Sequence, residues 1–184
     1  MAPLVTRCEV YAVIEEERRY QDGLRTAGKF ETKVHSIGEE LVMMDEYLAR
    51  AKTAYADNAG DEAALHVVRK IAALGARCME HHGAFPRPCD ESHCEDDLEP
   101  ADWAKVLKAL DSEREYQDAK WGPVGRPEHD EQHKLGEWLL YIEKHLEAAK
   151  DHIYYFRAVN TMAEVRKVVA LCVACMEFRG APAR

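Results

Sequence analysis

Ser112-Glu113-Arg114-Glu115-Tyr116-Gln117-Asp118-Ala119-Lys120-Trp121-Gly122 is followed by His133-Lys134-Leu135-Gly136-Glu137-Trp138. Then come Glu164-Val165-Arg166-Lys167 and an apolar run that ends Cys175-Met176-Glu177. The same order occurs earlier, as Glu17-Arg18-Arg19-Tyr20-Gln21-Asp22, His35-Ser36-Ile37-Gly38-Glu39, Val68-Arg69-Lys70 and Cys78-Met79-Glu80. The offset between matching residues stays between 96 and 98. Self-similarity at a nearly constant spacing is the mark of a duplicated structural unit. The chain therefore reads as two copies, residues 1–83 and 101–184, joined by a linker at 84–100. Each copy is short for an independent core, so the expectation is two copies packed on one shared core as an intramolecular pseudo-dimer.

Outside the quoted motifs, apolar residues recur at helical spacing. Ile37, Leu41, Met44 and Leu48 share one face, as do Leu135, Leu139, Ile142 and Leu146. Helices are expected over about 4–22, 35–56, 62–82, 101–120, 133–155 and 161–178, with Gly23 and Gly28 ending the first and Gly83 the third. The stretch Val168 to Met176 is apolar all round and should be the buried helix of its copy. No strand-like alternation occurs, so the expected class is all-α. Prolines and the acidic run Cys94-Glu95-Asp96-Asp97 make 84–100 a linker, and Gly122 to Pro127 is a loop.

The chain has 184 residues and a net charge of −9, which argues against a nucleic-acid partner. No apolar run is long enough to cross a membrane, and the N-terminus carries no signal-peptide pattern. The expected location is the cytoplasm, with the six cysteines as reduced thiols. Cys172-x-x-Cys175 in an apolar helix reads as core. Cys78, His81, His82, Cys89, His93 and Cys94 form a richer group around the linker, open to zinc, though the spacing matches no standard finger.

Several polar residues point to chemistry. On a helical wheel, His133, Glu137, Lys144 and Glu147 fall opposite the apolar face. His35-x-x-x-Glu39 and His133-x-x-x-Glu137 have the spacing of a two-residue metal-binding pair or of a solvated face. Gly136 suggests a close approach by another helix or a ligand. Gln117 and Asp118 are candidates to hydrogen-bond a base or sugar. Lys120-Trp121 suits a stacked base and a phosphate, and the first copy lacks it. Arg69-Lys70 and Arg166-Lys167 near helix starts need either carboxylates from a neighbouring helix or a bound anion.

Glu113 to Gly122, the Trp138 helix, and Glu164 to Ala170 with Met176-Glu177 resemble small phage and bacterial proteins of the MazG-like group. These belong to the all-α nucleoside triphosphate pyrophosphohydrolases. The resemblance covers most of the second copy and, more weakly, the first. It implies a helical bundle that cleaves a (d)NTP to (d)NMP and pyrophosphate, with Mg2+ or Mn2+ held by helix carboxylates. The family's Glu-x-x-Glu would fall at Lys144 and Glu147, or at Glu46 and Ala49. Its Glu-x-x-Asp would fall at Glu164 and Lys167, or at Val67 and Lys70. Neither copy has the full set, which leaves a composite site with Glu46 and Glu147, a shifted site, or a nucleotide site without metal.

On this reading Glu137 and Glu147 are the catalytic candidates, and Glu137, Glu143, Glu147 and Glu164 the metal ligands. Glu113, Gln117, Asp118, Lys120, Trp121, His133, Lys144, Arg166 and Lys167 are the substrate-binding candidates. The partner is a nucleoside triphosphate or related nucleotide, with no nucleic acid, no membrane and room for a homodimer. The competing readings are a nucleotide-binding module without catalysis and a helical protein-interaction module.

Overall fold

The computed structural model describes residues 5–29, 33–57, 60–87, 98–121 and 132–184. The described residues form six helices and no strand, an all-α bundle. The helices are α1 (Arg7–Thr26), α2 (Ile37–Ala56), α3 (Asp61–His82), α4 (Trp103–Trp121), α5 (Leu135–Tyr154) and α6 (Ala158–Arg179). None is long and apolar enough to cross a membrane. The expected helix α1 was to stop at Gly23, but it runs on to Thr26. One glycine costs only about 1 kcal/mol in a helix interior, too little to end a helix anchored by packing.

Local sequence explains the helix ends. Thr6 and Glu9 close a reciprocal cap on α1, and Ser36 and Glu39 do the same on α2. Glu137 reaches back to accept from the Lys134 N–H at 2.7 Å at the start of α5. This is what His-x-x-x-Glu does in both copies: the glutamate caps its helix, and the histidine lies before it. His133 therefore stands outside α5, and the wheel that placed it on that helix does not apply. Gly83 and Gly180 end α3 and α6 at positive φ (113° and 110°), with their N–H groups on Met79 O and Met176 O.

The core is built on α3 and α6, which pack against each other and against α2 and α5 respectively. Leu65, Val68, Ile71, Met79, Val165, Val168, Val169 and Met176 are all buried. Gly75 lets the two central helices meet. A Cβ at that position would lie under 3.0 Å from Val169 Cγ2 and 3.5 Å from Met44 Sδ. At Gly136 the approaching group is the Tyr55 ring of α2, which a Cβ would meet at 3.0 Å.

The polar contacts recur with the sequence. Arg18 bonds to Glu80 and Asp22, and Arg114 to Glu177 and Asp118. Arg69 bonds to Glu17 and to Pro182 O, while Arg166 bonds to Glu113 and to Phe85 O. Between α2 and α5 the pairs Lys52–Glu143 and Lys150–Asp45 are reciprocal, the pattern of an isologous contact within one chain. Arg69 and Arg166 lie several residues inside their helices, and a carboxylate of a neighbouring helix neutralises each. That settles the choice between a carboxylate and an anion for these two arginines.

Candidate functional site

A cleft of about 440 Å³ opens between α4, α5, α6 and the segment after α3. Such a volume is in the range of small-molecule sites. Its floor is the buried network of the second copy. Glu113, 2% exposed, accepts from Arg166 Nε at 3.0 Å and from Arg87 Nε at 2.7 Å. Gln117 accepts from Arg114 Nη1 at 2.8 Å. Burial pulls Arg166 down from its usual value, an effect that Glu113 opposes.

One wall is aromatic and cationic. Two adjacent pairs, Tyr116-Gln117 and Lys120-Trp121, lie four residues apart and so come round on one side of α4. Lys120 Nζ lies 4.3 Å from the Trp121 ring centroid and donates to Tyr116 Oη at 3.2 Å. That hydrogen bond draws the Tyr116 phenol below its usual value. The Arg87 guanidinium lies 3.9 Å from the Tyr116 centroid. On α5, Trp138, Tyr141, Lys144 and His145 line the opposite wall, and α6 supplies Lys167 and Leu171. Trp138 is 2% exposed, and its Nε1–H finds no acceptor among the described residues. Among the described residues Glu113 is the single carboxylate lining the cleft, against Arg87, Arg114, Lys120, Lys144 and Lys167.

The site thus gathers Glu113, Gln117, Lys120, Trp121, Lys144 and Lys167 of the sequence candidates. Asp118 does not line it and instead accepts from Arg7 and Arg114. Arg166 lies beneath the floor. His133 packs edge-on to Trp138 and Tyr141, with centroids 5.8 and 5.1 Å away, behind the wall. Arg87, Arg114, Tyr116, Trp138, Tyr141, His145 and Leu171 were not on the candidate list. The i, i+3, i+7 spacing of Trp138, Tyr141 and His145 was the available signal for three of them.

The four expected metal ligands do not converge. Glu137 caps α5, Glu143 pairs with Lys52, and Glu147 is exposed. Glu164 accepts from Lys167 Nζ at 2.5 Å and from the His145 side at 2.6 Å. Burial alone would raise the Glu164 carboxyl, but its hydrogen bonds to His145 and Lys167 prevail and hold it at about 2. No group of three or more His, Cys, Asp or Glu side chains suited to a metal ion occurs among the described residues. Glu143 and Glu164 are each committed to an ammonium, which makes a poor ligand for a dication, and the four do not meet at one point among the described residues, so together they do not fit Mg2+. Glu46, the proposed composite partner of Glu147, pairs with Arg50. In the cysteine group, Cys78 is buried against Met162, and Cys89, His93 and Cys94 lie outside the described residues. So does the loop 122–131.

Comparison of the copies separates architecture from site. Glu113, Arg114, Gln117, Asp118, Arg166, Lys167 and Glu177 have identical counterparts in Glu17, Arg18, Gln21, Asp22, Arg69, Lys70 and Glu80, and the arginine–carboxylate pairs repeat. Arg87 over Tyr116 is matched by Arg184 over Tyr20. Lys120, Trp121, Trp138, Tyr141, Lys144, His145 and Glu164 are not matched. Their counterparts are Leu24, Arg25, Glu40, Met43, Glu46, Tyr47 and Val67. At the place of Trp138, Glu40 is fully buried and held by Arg77 at 2.9 and 2.5 Å. What the second copy adds to the shared scaffold is Lys120, Lys144 and the rings of Trp121, Trp138, Tyr141 and His145.

No protein-family model, no curated protein and no solved structure matches this chain.

Proposed function

We propose that the cleft binds a nucleotide, with the base on the Tyr116–Trp121 side and the phosphates toward Lys144 and Lys167. The observation that carries this reading is the concentration of cations and aromatic rings in a chain of net charge −9, of which Lys120, Lys144, Trp121, Trp138 and Tyr141 have no identical counterpart in the first copy. An aromatic ring beside a base contributes about 1–3 kcal/mol, and a lysine over that ring adds a cation–π term. Lys144 is exposed and makes no ion pair among the described residues, so its charge is available to a phosphate. The Trp138 Nε1–H is a buried donor that a ligand oxygen would satisfy. The resemblance to MazG-like proteins supports the same ligand class. The carboxylates it would assign to Mg2+ do not converge among the described residues, so the reading is nucleotide binding through protein cations.

The test is calorimetry and thermal melting with a panel of ribo- and deoxyribonucleoside triphosphates, each with Mg2+ and with EDTA. At one hundred times Kd a single-site ligand stabilises the folded chain by about 2.7 kcal/mol. Trp121→Ala and Lys144→Ala should abolish most of that shift, and Arg25→Ala, at the matching place in the first copy, should not. A panel in which no nucleotide moves the melting temperature would remove this reading.

A further inference from the structure

Binding alone does not account for His145. Its Nδ1 lies 2.6 Å from Glu164 Oε2, and Lys167 Nζ donates to the other carboxylate oxygen at 2.5 Å. Glu164 is buried at 8% exposure and held ionised, so it can only accept and Nδ1 must carry the hydrogen. An imidazole fixed in that tautomer has its lone pair on Nε2. His145 lines the cleft, one residue from Lys144. A base oriented by a carboxylate, beside cations that face the same space, is the recurrent arrangement of a proton acceptor in hydrolysis. The fold does not require it. Tyr47 and Val67 occupy the matching places, and that copy keeps the same helix pairings.

We propose that His145, positioned by Glu164, is the general base for hydrolysis of a phosphoanhydride in the bound nucleotide, with Lys144 and Lys167 in place of a dication; this rests on the nucleotide reading above. Nε2 takes a proton from a water molecule. The water oxygen forms a bond to phosphorus, and the bond from that phosphorus to its bridging oxygen breaks. The leaving phosphate keeps the electron pair, and the imidazolium returns the proton to it. Lys144 and Lys167 stand where charge builds on the phosphate oxygens. Lys167 has two further N–H groups after its bond to Glu164.

The experiment follows product release from the nucleoside triphosphate panel by phosphorus NMR, in EDTA and in Mg2+, with binding measured in parallel. The full chain should turn over in EDTA. His145→Asn retains an amide N–H toward Glu164 and lacks Nε2, so kcat should fall by about a hundredfold or more with Kd nearly unchanged. Glu164→Gln should also lower kcat. Added imidazole should restore part of the turnover in His145→Ala, which a merely structural role would not permit. Nucleotide binding without hydrolysis, or turnover unchanged in His145→Asn, would overturn this inference and leave the binding reading standing. Absence of binding by the unaltered chain would overturn both.

Discussion

Gly75→Ala tests the helix crossing on which the bundle depends. Glycine to alanine inside an exposed helix would stabilise by about 1 kcal/mol. Here the added methyl would lie under 3.0 Å from Val169 Cγ2, with Met44 Sδ at 3.5 Å and Val165 Cγ1 at 3.8 Å. Val169 is β-branched and fully buried, so it has no free rotamer to move into. Overpacking of a tight core costs about 1–3 kcal/mol, and α3 and α6 must separate to relieve it. The net result is a loss of up to about 2 kcal/mol, or a melting temperature lower by up to roughly 8 °C for a domain of this size. Val169→Ala alone costs about 1.5 kcal/mol in lost burial. The double variant should lose less than the sum of the two, because the new methyl fills the vacated space. Urea melts of the four proteins give the coupling. Gly75→Ala at or above the stability of the unaltered chain, or strict additivity, would refute the close-crossing argument.

Other expectations follow from the same contacts. Trp138→Phe removes a buried donor that has no acceptor among the described residues, so its apo stability should change little, while nucleotide affinity drops by about tenfold; the two are read by urea melting and calorimetry. Glu17→Gln and Glu113→Gln each leave a buried arginine underpaired, and each should cost about 3 kcal/mol, with the near-equality of the two melts as the check. The Glu164 carboxyl is lowered on folding from 4.5 to about 2, so its contribution to stability is present above about pH 4.5 and lost as pH falls through about 2; Glu164→Gln should flatten that part of the acid titration. Among the four described thiols, alkylation of the native protein followed by peptide mass mapping should mark the exposed Cys8. Cys78, Cys172 and Cys175 are buried, and burial pushes all three thiols up.

The all-α class and the six helices were legible in the sequence because helix formation is local. Apolar residues at i, i+3 and i+4 do not depend on distant partners. The duplication was legible because it is a pattern in one dimension. Lys120-Trp121 stood out because the first copy lacked it. The purpose of a shared polar residue was not legible. Arg69 and Arg166 are charged groups whose partners come from other helices, and charge alone does not tell a salt bridge from a ligand contact. Glu164 reads in the sequence as a metal ligand, whereas in the fold Lys167 and His145 sit on its two oxygens. Gly75 had no visible role in a helical run, since its reason lies on α6. Local periodicity sets which segments become helices and which faces they bury. Only packing decides which charges neutralise each other and which remain to face a cleft, because that depends on distances between residues far apart in the chain.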